Sequence, residues 1–152
     1  MANITDNGEL MDIFYEEAQS LIDEMRQGLS TLSQGQEARF RDSSPVTRAP
    51  SDERRDIALR EQSAVLRRLF RCAHIIKSSS DSVGLDELRK VTEALEKFYK
   101  KASDERFVMT ADVISLLSES VEACQKLLNQ EEITGHKELL DRLNSVLQTC
   151  GA

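Results

Sequence analysis

The chain has 152 residues, a formal net charge of −7 at pH 7, 31% charged residues, 5% aromatic residues and no Trp. This composition is typical of an all-helical protein, and its acidic balance argues against a nucleic-acid binder, which needs a dominant basic face. There is no apolar run long enough to cross a bilayer and no secretory leader, so we expect a cytoplasmic protein without a membrane span.

Five helices are predicted in chain order. The first covers about 8–32, where one apolar stripe recurs at helical spacing: Ile13, Phe14, Ala18, Leu21, Ile22, Met25, Leu29 and Leu32. Residues 33–50 contain both prolines and little that could be buried, and at this length they predict a mobile surface loop.

The second helix is predicted from about Ser51 to Ser82, and Gly84 provides a tight connection to a third helix over about 85–102. Thr110 and Thr134 are candidate caps for a fourth and a fifth helix. Short links join the second helix to the third and the fourth to the fifth, so we expect these partners to be antiparallel. The length is enough for one domain with its own core, so we expect a single domain over 1–152. Its predicted fold is an antiparallel, up-down four-helix bundle with an additional C-terminal helix.

His74 lies in a polar stripe of the second helix. Counting helical steps places Arg60, Arg67, Arg71 and Ser78 on its face, with Lys77 beside it. The opposite face is apolar and contains Leu59, Leu66, Leu69, Phe70, Ala73 and Ile76. The pattern predicts a solvent-exposed imidazole among cations on a rigid support, which suits a histidine that accepts and donates a phosphoryl group. Arg67 and Arg71 either solvate this face or guide an acidic partner, and the sequence favours neither.

A nucleophilic imidazole needs an acceptor that holds its second ring nitrogen. His74 has no acidic residue three or four positions away on its own helix. A hairpin that turns at 82–84 brings His74 level with the region 88–96, where Glu93 and Glu96 share a polar face. Geometry alone makes both acids candidates.

These residues resemble the signature of histidine phosphotransfer (HPt) domains. The signature places Lys77 three residues after the histidine, then small residues, Gly84 and Leu88, and all of these spacings are met. Residues 10–18 also resemble the first helix of the amino-terminal HPt domain of CheA-type chemotaxis kinases. One departure is Ser78, which stands where the family usually has glycine, so its hydroxyl could alter docking.

The resemblance implies a role for each site residue. His74 would be the phosphoacceptor, Glu96 would orient its imidazole, and Lys77 would give the phosphoryl group electrostatic support. Arg71, Ser78 and Gly84 would belong to a partner-docking surface. The implied partners are a histidine kinase catalytic domain, which donates the phosphoryl group, and a response-regulator receiver domain, which accepts it on an aspartate.

No glycine-rich ATP site is visible, so we expect a phosphocarrier without a cofactor, monomeric as an isolated domain. The sequence leaves open whether it is the amino-terminal part of a histidine kinase. Clustered Cys or His and Glu-x-x-His pairs are absent, which argues against a metal site. Cys72, Cys124 and Cys150 are expected to be buried free thiols, and His136 a surface residue. The alternative function is a non-catalytic helical scaffold or adaptor with an inert His74.

Overall fold

The computed structural model describes residues 3–41, 52–105, 109–131 and 136–150, and the side chains of 9–34, 60–105, 109–131 and 137–148. It contains five helices: α1 (Asn3–Arg41), α2 (Asp52–Val83), α3 (Asp86–Glu105), α4 (Ala111–Leu128) and α5 (His136–Cys150). Helices α1 and α3 each pack against both α2 and α4, which closes a four-helix bundle, and α5 packs against α3 and α4. The predicted all-α bundle with an additional C-terminal helix is confirmed.

The end of α1 differs from the prediction. The helix continues to Arg41, so the loop predicted over 33–50 is wrong for 33–41. Gln, Glu, Ala and Arg dominate this stretch and have high helix propensity, so the helix continues without an apolar stripe. Residues 42–50 lie outside the described part of the chain, and their predicted mobility stays a prediction.

The core lies where the apolar stripes of the five helices meet. Its largest fully buried side chains are Ile22, Met25, Leu66, Leu69, Ile76, Leu88, Val91, Leu95, Phe98, Tyr99, Leu117 and Leu143. Ile13 was assigned to the stripe of α1 but is 59% exposed, because the stripe is centred on Phe14 and Ala18 and Ile13 lies at its edge. Leu59 lies outside the described side chains.

Two of the three cysteines are buried free thiols, as predicted. Burial raises the pKa of Cys72 to about 12, with a further contribution from Glu24. Burial also raises the pKa of Cys124 to about 12. The side chain of Cys150 lies outside the described part. The two buried thiols therefore act as small apolar groups of the core.

The turn between α2 and α3 sets the register of the two helices. Gly84 has a φ of 81°, which glycine adopts without steric cost. The Leu85 amide donates to the Ser80 carbonyl at 2.9 Å, and the Gly84 amide donates to the Asp81 carbonyl at 3.3 Å. This pair of bonds is the Schellman arrangement, which ends a helix and reverses the chain. Helix α3 therefore returns antiparallel along α2.

Two small polar residues, one on α2 and one on α3, are buried with their hydroxyl groups satisfied. Ser80 and Thr92 are fully buried, and each hydroxyl donates to a carbonyl of its own helix, Lys77 and Leu88 respectively. No polar group of these side chains is left to be satisfied across the interface. At α4, the Thr110 hydroxyl accepts a hydrogen bond from the Val113 amide at 3.2 Å, which confirms the predicted cap.

We expect Gly84→Ala to lower the free energy of unfolding by about 1 kcal/mol, because a side chain at this positive φ is strained. A Cβ at this position meets nothing within 4 Å, so backbone strain is the sole cost. Gly84→Asn is the matched control and should cost less, since asparagine tolerates this conformation. Urea unfolding of the three proteins measures the difference. Equal loss in both variants would contradict the assignment to backbone strain.

We expect Tyr99→Phe to raise the free energy of unfolding by about 1 kcal/mol, because it removes a buried polar group without a partner. The Tyr99 hydroxyl is fully buried and has no hydrogen-bond partner in the described structure. Tyr15→Phe is the control, because the Tyr15 hydroxyl accepts a hydrogen bond from Gln130 and its removal should not stabilise. Urea unfolding in which Tyr99→Phe destabilises would show that the hydroxyl has a partner in solution.

Candidate functional site

The imidazole of His74 lies on the outer face of α2, and its side chain is 53% exposed. Arg67, Arg71 and Ser78 are exposed on the same face, while Ala73 and Ile76 are fully buried behind it. The amphipathic pattern of α2 therefore places a titratable ring at the surface of a rigid helix, as predicted.

The acid that faces the ring comes from α3. His74 Nδ1 lies 3.4 Å from Glu96 Oε1, and the Glu96 side chain is only 16% exposed. A carboxylate accepts hydrogen bonds, so the proton of a neutral imidazole is held on Nδ1. The lone pair is then on Nε2, the ring nitrogen directed away from Glu96.

Lys77 binds the other oxygen of the same carboxylate. Its Nζ lies 2.8 Å from Glu96 Oε2, and the Lys77 side chain is 28% exposed. Partial burial tends to raise the pKa of Glu96, but hydrogen bonds from Lys77 and His74 outweigh burial and hold that pKa below its usual value. Glu96 therefore remains ionised at neutral pH, and Lys77 fixes its orientation.

Glu93, the other candidate acid, does not contact the imidazole. Its Oε2 lies 3.1 Å from Arg89 Nη1, and its Oε1 lies 3.7 Å from Lys97 Nζ. Arg89 and Lys97 lie four residues before and after Glu93, so both pairs form along the exposed face of α3. Glu96 is therefore the one of the two candidate acids whose carboxylate contacts the imidazole of His74.

Phe70 is a contact that the sequence analysis missed. Its ring stacks on the imidazole of His74 with the centroids 6.0 Å apart and the planes inclined by 19°. Phe70 was assigned to the apolar face, and the structure leaves it half-buried at the border between that face and the polar stripe. The contact could have been predicted from the sequence, because Phe70 lies four residues before His74 and residues at this spacing are neighbours on a helix.

The residues predicted to dock a partner are spread along α2. Arg71 and Ser78 are exposed within one turn of His74 on either side. Gly84 is exposed in the turn, ten residues from His74, or about 15 Å along the axis at 1.5 Å per residue. The positive φ of Gly84 accounts for a glycine there on structural grounds, and its role in docking stays a prediction.

A metal-binding cluster of three or more His, Cys, Asp or Glu is absent from the residues that the structure describes. Over the same residues, the helices are too short or too polar to cross a bilayer. His136 is the first residue of α5, and its side chain lies outside the described part.

Comparison with known proteins finds similarity to a chemotaxis protein and, among other structures, to a solved domain. The chain is 26% identical over 123 residues to the chemotaxis protein CheA of Borreliella burgdorferi, an alignment that covers 81% of this chain and 12% of that protein. It also resembles the phosphorylated P1 domain of CheA3, solved in complex with CheY6 from R. sphaeroides. That superposition has a TM-score of 0.64 at 15% identity and covers 93% of this chain and 98% of the other. At this identity, the structural likeness shows the fold.

The family model of the Hpt domain matches residues 9–149, which include all of α2, α3 and α4 and most of α1 and α5. The matched part contains His74, Lys77 and Glu96. A match over almost the entire length identifies the chain as a member of the Hpt domain family.

Proposed function

We propose that this chain carries phosphoryl groups on His74 in two-component signalling of the chemotaxis type. The observation that supports this most directly is the exposed imidazole whose Nδ1 contacts a largely enclosed, ionised glutamate. In this arrangement one ring nitrogen is held by the protein, and the other is open to a phosphoryl donor.

The loading step follows from this geometry. The Nε2 lone pair attacks the γ-phosphorus of ATP held by a kinase domain, a P–N bond forms, the bond to the bridging oxygen breaks, and ADP leaves. Attack through Nε2 puts a positive charge on the ring, whose Nδ1 keeps its proton. The Glu96 carboxylate lies against that nitrogen and stabilises the charge as it develops.

The unloading step reverses the charge change on the ring. A carboxylate oxygen of a receiver-domain aspartate attacks the phosphorus, an acyl phosphate forms, and the P–N bond breaks. The imidazole leaves as a neutral ring that still carries its proton on Nδ1. Because Glu96 holds the same nitrogen throughout, His74 is ready for another loading step without a change of tautomer.

Lys77 acts in this proposal through Glu96. Its ammonium group lies 2.8 Å from Glu96 Oε2. This contact keeps the carboxylate ionised and fixes its orientation. Lys77 is therefore a positioning residue for the carboxylate, and its charge gives the phosphoryl group secondary support.

The partners of the chain are also part of the proposal. The match to 12% of a CheA supports a kinase domain that lies elsewhere, either further along a longer protein or in a separate one. The P1 domain of CheA3 was solved with CheY6, which supports a receiver domain as the acceptor. We further propose that the isolated domain is a cytoplasmic monomer.

We expect phosphoramidate, a small phosphoryl donor, to phosphorylate the protein on Nε2 of His74, because Nδ1 is held by Glu96. The P–N bond of the donor breaks, ammonia leaves, and one phosphohistidine forms per chain. Phosphorus and ¹⁵N NMR identify the modified nitrogen. His74→Gln should remain unmodified, and His136→Gln is the matched control that should be modified like the parent.

Modification on Nδ1 would contradict the proposed geometry. If His74 remained unmodified by phosphoramidate and by kinase domains with ATP, the scaffold alternative would replace this proposal.

We expect Glu96→Gln to slow phosphorylation of His74 by about 10-fold to 100-fold, because the neutral amide stabilises the charged ring poorly and no longer fixes one tautomer. Glu93→Gln is the matched control, since it removes the same charge from the same helix but contacts Arg89 and Lys97 rather than the ring. Rates with phosphoramidate at pH 7 compare the two variants. A loss of rate in both, or in neither, would show that the carboxylate at Nδ1 is not responsible.

A further inference from the structure

The ring of Phe70 lies against one face of the His74 imidazole. The two ring centroids are 6.0 Å apart and the planes are inclined by only 19°, so the rings are stacked rather than edge to face. Side chains on a helix point toward its N-terminal end, which brings the ring of His74 over the turn that contains Phe70. Phe70 is itself half-buried and packs against the core. The imidazole is therefore supported by a side chain that the core holds in place.

The contact with Glu96 does not by itself fix the plane of the imidazole. His74 Nδ1 and Glu96 Oε1 are 3.4 Å apart, which exceeds the usual N–H···O distance of about 2.7–3.2 Å. The His74 side chain is 53% exposed, and the torsion next to a flat ring has broad minima. A ring that is held at one atom can still turn about that atom, and Nε2 moves when it does.

Phe70 provides the second constraint. It contacts the face of the imidazole from the same helix, whereas Glu96 contacts the edge of the imidazole from α3. A turn of the imidazole out of its observed plane would push one of its edges into the phenyl ring or lose the stacking contact. One contact at the edge and one at the face together fix the position of Nε2.

We propose that Phe70 is a positioning residue for phosphoryl transfer, because it fixes the plane of the His74 imidazole. This inference rests on the proposed function. The lone pair of Nε2 lies in the plane of the ring, so this plane sets the direction from which the phosphorus is attacked. Reacting groups must be aligned as well as close, and a small misplacement of one of them costs up to about 100-fold in rate.

The stacked geometry also suits the charge that the imidazole acquires. When Nε2 bonds to phosphorus, the imidazole becomes positively charged, and the face of a phenyl ring is its negative side. A cation within about 6 Å of the centre of such a face is stabilised, which at an exposed site is worth about 2-fold to 5-fold in rate. Glu96 stabilises the same charge from the edge of the imidazole, so the two residues act from different directions.

Three variants separate the aromatic face of Phe70 from its role in packing. Phe70→Leu keeps an apolar side chain but removes the flat face, and Phe70→Tyr keeps the face. Val65→Ala is the control for lost packing. Val65 is also a partly buried apolar residue of α2, but it lies near Gly28 of α1 and nine residues before His74. Urea unfolding measures the stability of each protein.

NMR detects the stacked rings before any phosphoryl donor is added. We expect NOE contacts between the ring protons of residue 70 and those of the His74 imidazole in the parent, in Phe70→Tyr and in Val65→Ala. Absence of these contacts in the parent would overturn the proposal, because the rings would then not be stacked in solution.

Phosphoramidate tests the role of Phe70 in the reaction. We expect His74 to be phosphorylated at least about 5-fold more slowly in Phe70→Leu than in the parent, and within about 2-fold of the parent in Phe70→Tyr and Val65→Ala. The rate of the parent in Phe70→Leu would overturn the proposal, and so would an equal loss in Phe70→Leu and Val65→Ala. A failure of Phe70→Tyr to restore the rate would overturn it too.

These outcomes differ from failure of the proposed function. If His74 of the parent were phosphorylated neither by phosphoramidate nor by a kinase domain with ATP, the proposed function would be contradicted, and the role of Phe70 with it. A parent that is phosphorylated on His74 while Phe70→Leu reacts at the same rate contradicts the role of Phe70 alone.

Discussion

The contact between His74 of α2 and Glu96 of α3 is the interaction on which the candidate site depends. It joins the exposed ring of His74 to the Glu96 carboxylate. Lys77, which lies on α2 like His74, binds the other oxygen of that carboxylate. Since the three residues come from two helices, the site exists only when α2 and α3 are paired in the correct register. The Schellman turn at Gly84 sets that register.

In the proposed function, the electrostatics of this contact prepare a weak nucleophile without a deep cleft. The carboxylate beside Nδ1 would select one tautomer and stabilise the ring when it becomes positively charged. That carboxylate must itself stay ionised although it is largely enclosed, and the hydrogen bonds from Lys77 and His74 keep it so. Lys77 is fixed by its pairing with Glu96, so in the proposed function its charge supports the phosphoryl group from that position. Arg71 is the nearest cation on the His74 face of α2 that has no ion pair among the described side chains.

Much of this arrangement could be predicted from the sequence, for identifiable reasons. Helical periodicity placed His74 on the polar face and Ile76 in the core, and Gly84 marked the turn. Periodicity could not choose between Glu93 and Glu96, because residues within one turn of each other are equally level with His74 in a hairpin. The choice depends on side-chain pairing: Arg89 and Lys97 engage Glu93, and Lys77 engages Glu96. The contact of Phe70 with His74 was not predicted because Phe70 lies at the border between the apolar and the polar face of α2. The extension of α1 to Arg41 was not predicted because it depends on helix propensity and not on an apolar stripe.

Under the proposed function, the exposure of His74 determines how long a phosphoryl group can be kept. An active site that encloses its substrate protects reactive intermediates from water. A group carried by a ring on the outer face of a helix is exposed to water. The lifetime of the loaded state is then governed by the intrinsic hydrolysis of a phosphoramidate bond and by how soon a recipient arrives. Such a domain is suited to holding the phosphoryl group briefly. The choice of recipient then depends on the two protein surfaces that bind each other and not on an active site that closes.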